Sequence, residues 1–186
     1  MKIYFSVAGA LLGLGVCLSS SAPVLAQDVS SSTNDAAAQL ISKFDEQRNV
    51  IRKSAPVHSQ AQLAEYLTKA KESDSPLNLL SPQARARFVD SLKFNERGVT
   101  SFYYADIESE LSSGQAYDLL SVFGLQDTLH FMRNIRVSND RDREVMRAFG
   151  TQAGIDQAPR EEHESYECVG RGTCHESVGS ICTNNC

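Results

Sequence analysis

The chain has no tryptophan, 5 prolines and 3 methionines among its 186 residues, and no cysteine between Cys17 and Cys168. The cysteine gap excludes a disulfide scaffold for the middle of the chain, which must fold around apolar side chains instead. Cationic excess is lacking too: 18 Lys and Arg face 23 Asp and Glu, a formal net charge of −5. No Lys/Arg cluster stands out along the sequence. Nucleic acid and anionic membranes are therefore not expected as partners, since both require a basic face. No Cys-x-x-Cys pair occurs, which leaves an oxidoreductase reading little support. Gly-x-Ser-x-Gly, His-Glu-x-x-His, a phosphate-binding loop and a dinucleotide fingerprint are also absent, so no motif names a reaction or a cofactor. Beyond residue 26 no apolar run approaches the roughly 20 residues that span a bilayer.

The first 26 residues read as a cleavable export signal of bacterial character. Lys2 is the positive n-region, residues 3–18 are nearly all apolar or small, and Val24-Leu25-Ala26 offers small residues to a signal peptidase just before Gln27. Gly9, Gly13 and Gly15 interrupt the apolar run, which suits a removed signal better than an anchor. Leu14-Gly15-Val16-Cys17 resembles a lipobox, but Val16 stands where a small residue is needed; lipidation at Cys17 is the competing reading. Cleavage after Ala26 removes Lys2 and Cys17, leaving 17 Lys and Arg against 23 Asp and Glu and an even set of four cysteines. The expected localisation is periplasmic or secreted, with no integral membrane segment after signal cleavage.

Composition divides the remainder into a polar leader (27–34), a body (35–150), a linker (151–167) and a cysteine-rich tail (168–186). The linker holds Gly154, Pro159 and Arg160-Glu161-Glu162-His163-Glu164, without regularly spaced apolar residues. In the body, helix signals dominate. Asn34 or Asp35 caps a first helix with the stripe Ala37, Leu40, Ile41, Phe44 and Ile51, ended by Pro56. Ser59 with Gln62, and Ser112 with Gln115, have capping-box spacing. They precede Leu63, Tyr66, Leu67 and Ala70 in one case, and Ala116, Leu119, Leu120 and Phe123 in the other, with Gly124 as terminator. Ser81-Pro82 starts a helix that carries Phe88, Val89 and Leu92 and stops at Gly98. Ser101 opens a short helix with Tyr104, Ile107 and Leu111 on one face. Asp127 caps a turn bearing Leu129 and Met132, and Ser138 or Asn139 caps a last helix containing Val145, Met146 and Phe149. No stretch alternates apolar and polar residues, and no Asn-Gly or Asp-Gly hairpin occurs; only Phe102-Tyr103-Tyr104 could be a short strand. The expected fold is all-α, a small bundle of six or seven short helices with an irregular disulfide-rich C-terminal tail.

The tail carries Cys168, Cys174, Cys182 and Cys186 with few hydrophobes around them. In an oxidising compartment two disulfides are expected, with three possible connectivities. Zinc held with His163 or His175 is the alternative, but structural zinc usually uses tight Cys-x2-Cys pairs. Asp106, Glu108 and Glu110 are candidate acid–base or metal-binding carboxylates, weighed against a solvated helix face. His130, among Leu129, Phe131 and Met132, is a candidate base weighed against a structural histidine. His58 is isolated. No catalytic, cofactor-binding or metal residue is assigned. The expected function is an exported interaction or accessory protein without catalytic activity, its partner another protein of the envelope or exterior. Two alternatives remain: a precursor that releases a disulfide-bonded C-terminal peptide, and a hydrolase using Asp106, Glu108 or His130.

Overall fold

The computed structural model describes residues 28–70, 74–150 and 162–186. The export signal and its cleavage site therefore lie outside the described residues, as do 151–161 of the expected linker. Residues 38–186 form one compact unit, and of residues 1–37 only the backbone from Asp28 is described.

The helices are α1 (Asp28–Ser54), α2 (Gln60–Ala70), α3 (Pro82–Ser91), α4 (Ala105–Glu110), α5 (Ser113–Ser121) and α6 (Asp140–Val145). Short 3₁₀ turns cover Pro76–Leu79 and Gln126–Phe131, and a π turn, Met146–Gly150, follows α6. Among the described residues no helix is long and apolar enough to cross a membrane. Most start signals act as their chemistry requires. Ser81 Oγ accepts from Ala84 N, Gln115 Oε1 accepts from Ser112 N, Ser59 Oγ accepts from Gln62 N and Asn139 Oδ1 accepts from Asp142 N. Helix α1 already includes residues 28–34, so its start is not at Asn34 or Asp35. The side chains of Ala37, Leu40, Ile41 and Phe44 lie outside the described set.

The all-α expectation is overturned by a four-stranded antiparallel sheet of β1 (Lys93–Asn95), β2 (Gly98–Tyr103), β3 (His163–Gly170) and β4 (Thr173–Cys182), in the order β1-β2-β4-β3. Gly98 is not a helix stop. It opens β2 at φ +121°, directly after the tight turn from β1. Ser101 is inside β2 rather than at a helix start, and α4 begins four residues later. The tail is not irregular either. Phe102 pairs with Ile181 and Ser101 with Cys182, so β4 is an inner strand of the sheet. Pairing continues past its end, where Thr183 N donates to Thr100 O (2.8 Å) and Thr183 Oγ1 to Val99 O (2.7 Å). The end of the expected linker, residues 163–167, is in β3.

The physical reason the tail hides its strands is a bulge. Between the pairs Glu164↔Ile181 and Tyr166↔Glu176, the single residue Ser165 opposes four residues of β4. Ser165 (φ 65°) and Gly179 (φ 79°) both adopt left-handed backbone there. A Cβ at Gly179 would stand 2.7 Å from Tyr103 Cε2, so the position also requires the missing side chain. The consequence is a strand that folds back on itself. Eight residues of straight strand would separate Cys174 from Cys182 by about 26 Å, yet their Cα atoms are 6.1 Å apart and bridged.

One apolar core joins the helices to the sheet. Phe88 of α3 sits edge-on to Phe102 of β2 (6.2 Å between ring centres) and to Phe123 after α5 (5.4 Å). Leu63, Ile107, Leu111, Leu119, Leu120, Leu129 and Met132 surround them, and Ile181 of the tail is buried in the same cluster.

Candidate functional site

The four tail cysteines form two disulfides, Cys168–Cys186 and Cys174–Cys182. The first ties the tip of the β3–β4 hairpin to the segment after β4; the second closes the fold-back within β4. The Sγ atoms of Cys168, Cys182 and Cys186 lie within 4.8 Å of one another, so the bridges form a small sulfur core beside the main one. All four sulfurs are engaged in these bonds, and the alternative zinc partners His163 and His175 are exposed on β3 and β4.

Beside the Cys168–Cys186 bond is a cleft of about 380 Å³. Phe94 of β1 and Arg97 of the β1–β2 turn form one wall, and the hairpin tip forms the other through Arg171. Lys93 lines it as well, so three cations share one cleft of an acidic chain. Lys93 and Arg97 are placed by contacts to the hairpin and the segment after it. Lys93 Nζ donates to Glu167 Oε2 (2.8 Å) and to Cys168 O (3.1 Å). Arg97 Nη2 donates to Asn185 O (2.8 Å). Arg171 is exposed at the hairpin turn and has no ion pair with a described residue. Glu96 lines the cleft too and Lys93 is paired with Glu167, so the cationic excess rests on Arg97 and Arg171. An excess of one sign concentrates counter-ions, and guanidinium groups bind carboxylates through paired N–H donors. The cleft therefore suits a carboxylate or another small anionic group. No cluster was legible in the sequence because Lys93 and Arg97 are more than 70 residues from Arg171.

The three candidate carboxylates go to three different places, and His130 to a fourth. Asp106 accepts two bonds from Arg87, at 2.8 Å from Nε and 2.7 Å from Nη2. Glu108 accepts from Asn134 N (2.7 Å). Glu110 holds the start of α3, accepting from Ser81 N and Ser81 Oγ, both at 2.7 Å. His130 sits with its Nδ1 2.6 Å from Asp127 O and its ring against Phe131. His58 Nδ1 lies 3.0 Å from Ala55 O. Near Glu108, burial and a hydrogen bond to Glu164 push the Tyr104 hydroxyl up to about 12, so it remains protonated.

Two buried polar clusters went unseen in the sequence. At the end of α1, Arg52 is 2 % exposed and pairs with Glu162, and more loosely with Asp127 at 3.3 Å. Ile51, the expected stripe residue, is 41 % exposed, so the inward face of α1 continues through Arg52 instead. Burial opposes the Arg52 charge, but Asp127 and Glu162 outweigh it and raise its pKa. Burial, then the neighbouring Glu162, push Asp127 up to about 6 against the pull of Arg52 and Arg48. The second cluster is Asp142, fully buried, whose carboxylate accepts from Ser112 Oγ (2.8 Å), Gly114 N (2.9 Å) and Ser138 N (2.8 Å). Burial alone would raise its pKa, but these hydrogen bonds hold it below the usual range. A Cβ at Gly114 would lie 2.7 Å from Asp142 Oδ1, so the glycine makes room for that contact.

Compared with known protein families, curated proteins and solved structures, the chain matches none.

Proposed function

We propose that the protein is an exported binding protein, periplasmic or secreted, that receives an anionic segment of a partner protein in the cleft beside the Cys168–Cys186 bond. The supporting observation is the convergence of Lys93, Arg97 and Arg171, against the single carboxylate of Glu96, on one cleft of a chain with net charge −5. Disulfides belong to oxidising compartments, and Val24-Leu25-Ala26 before Gln27 supplies an export route. Binding needs no catalytic group, and Asp106, Glu108 and His130 serve structural contacts. The precursor reading is weaker, since releasing the tail would take an inner strand and Ile181 out of the folded unit.

The test is a nuclear magnetic resonance titration of oxidised residues 27–186 with a short acidic peptide. Binding should shift the amides around Lys93–Arg97 and Gly170–Gly172, and Arg171→Glu should abolish those shifts. Shifts scattered over the surface, or unaffected by Arg171→Glu, would contradict the reading.

A further inference from the structure

We infer that the cleft is also a thiol–disulfide exchange site for anionic thiols, with Cys182 as the relay to the second bridge. Three observations place it. Cys168 and Cys186, joined in one bridge, line the cleft and are 9 % and 7 % exposed, so an incoming thiol reaches them only through it. Lys93, Arg97 and Arg171 outnumber Glu96 in the lining of the same cleft; with Lys93 paired to Glu167, the charges of Arg97 and Arg171 favour both an incoming thiolate and the thiolate that leaves. The Sγ of Cys182, bonded to Cys174, lies within 4.8 Å of both cleft sulfurs. The sequence could not show this, because none of these sulfurs belongs to a Cys-x-x-Cys pair.

The exchange balances without any further reagent. A thiol loses its proton to water and its thiolate attacks Cys168 Sγ. A mixed disulfide forms, the Cys168–Cys186 bond breaks, and its electron pair leaves on Cys186 Sγ. That thiolate attacks Cys182 Sγ, forming a Cys182–Cys186 bond and releasing Cys174 Sγ, which takes up a proton. Attack at Cys186 gives the mirror outcome, with Cys168 bonded to Cys182. Either way the free thiol emerges at Cys174, which is partly exposed, whereas Cys182 is fully buried. The co-reactant is a thiol carrying carboxylates, such as a peptide thiol. This chemistry shares the cleft of the binding reading but does not depend on a protein partner.

Oxidised residues 27–186 would be reacted with less than one equivalent of glutathione, quenched in acid, alkylated and mapped by mass spectrometry. The expected result is glutathione on Cys168 or Cys186, the alkyl label on Cys174, and a new bridge from Cys182 to the remaining cleft cysteine. Glutathione on Cys174 would overturn the entry site, and label on a cleft cysteine with Cys174–Cys182 intact would overturn the relay. No reaction under conditions where a linear peptide disulfide exchanges would overturn both. Arg171→Ala, at an exposed turn, should slow glutathione by about 3- to 10-fold, in keeping with the effect of charge-lined clefts on encounter. It should slow mercaptoethanol, whose thiolate carries no carboxylate, by less. Equal slowing of both thiols, or of neither, would remove the cations from the account.

Discussion

The helical body and the cystine hairpin are held by different means. Between Gln60 and Gly150 the elements bury periodic apolar faces around Phe88 and Phe123, and no covalent cross-link occurs there. Between His163 and Cys186 few large apolar side chains are buried. Ile181 is the exception, and the segment is fixed by pairing to β2 and by two bridges. A segment poor in hydrophobes can thus still be an inner part of a fold, provided that it borrows the core of another segment and shrinks its own unfolded ensemble.

The strongest way to break this comparison is to remove the hairpin. A chain ending at Gln157 loses the strand between β2 and β3 and the core residue Ile181. Its cooperative thermal transition, followed by circular dichroism, should disappear. A transition within a few degrees of the intact chain would make the body independent. Within the body, Asp142→Ala orphans two buried donors, Ser112 Oγ and Gly114 N, and a third at the exposed Ser138, and should cost roughly 3–5 kcal/mol by urea denaturation. Asp142→Asn, which keeps one accepting oxygen, should cost less. A loss under 1 kcal/mol for the alanine variant would mean that water replaces the carboxylate.

The bridges sharpen the comparison through loop length. Cys168–Cys186 spans 18 residues and Cys174–Cys182 spans 8. Loop closure gives roughly 3 and 2.5 kcal/mol respectively, so paired Cys→Ser substitution should lower the urea midpoint more for the longer loop. The reverse order would show that the fold-back in β4 depends on its own bridge. The smallest effect lies where the two regions meet, at Arg52, Asp127 and Glu162. Asp127 has its folded pKa near 6, above its ordinary 3.8. It therefore takes up protons on folding between those values, and its stabilising contribution is present below pH 3.8 and lost as pH rises through 6. Asp127→Asn should match the parent near pH 4 and exceed it in stability at pH 7, with the difference developing between. A constant difference across that range would contradict the assignment.

Much of the body was legible in the sequence because its signals are local. Ser81-Pro82, the pair Ser112 and Gln115, and the face of Tyr104, Ile107 and Leu111 each lie within one or two helical turns. The sheet was not legible, for physical reasons that differ by strand. β1 has three residues, too few to show alternation. β2 is buried along nearly its whole length, so only Phe102-Tyr103-Tyr104 stood out, and Tyr104 lies past its end. β3 and β4 are broken by the bulge at Ser165 and Gly179, and the inner partner of β4 lies about 80 residues away. The disulfides were expected as a set, but their pairing follows from that fold-back. The cleft was invisible because it is made from both ends of this long-range pairing.

The most direct test of the hairpin as an inner part of the fold is native-state hydrogen exchange on the intact, oxidised chain. Two amides bridge the junction: Tyr104 N donates to Gly179 O (2.7 Å) and Thr183 N to Thr100 O (2.8 Å). Both should exchange only on global unfolding, as slowly as the amides of Leu119 and Leu120 in α5. Exchange of the Tyr104 and Thr183 amides orders of magnitude faster than those of α5 would show that the tail is loosely attached, and would contradict the account.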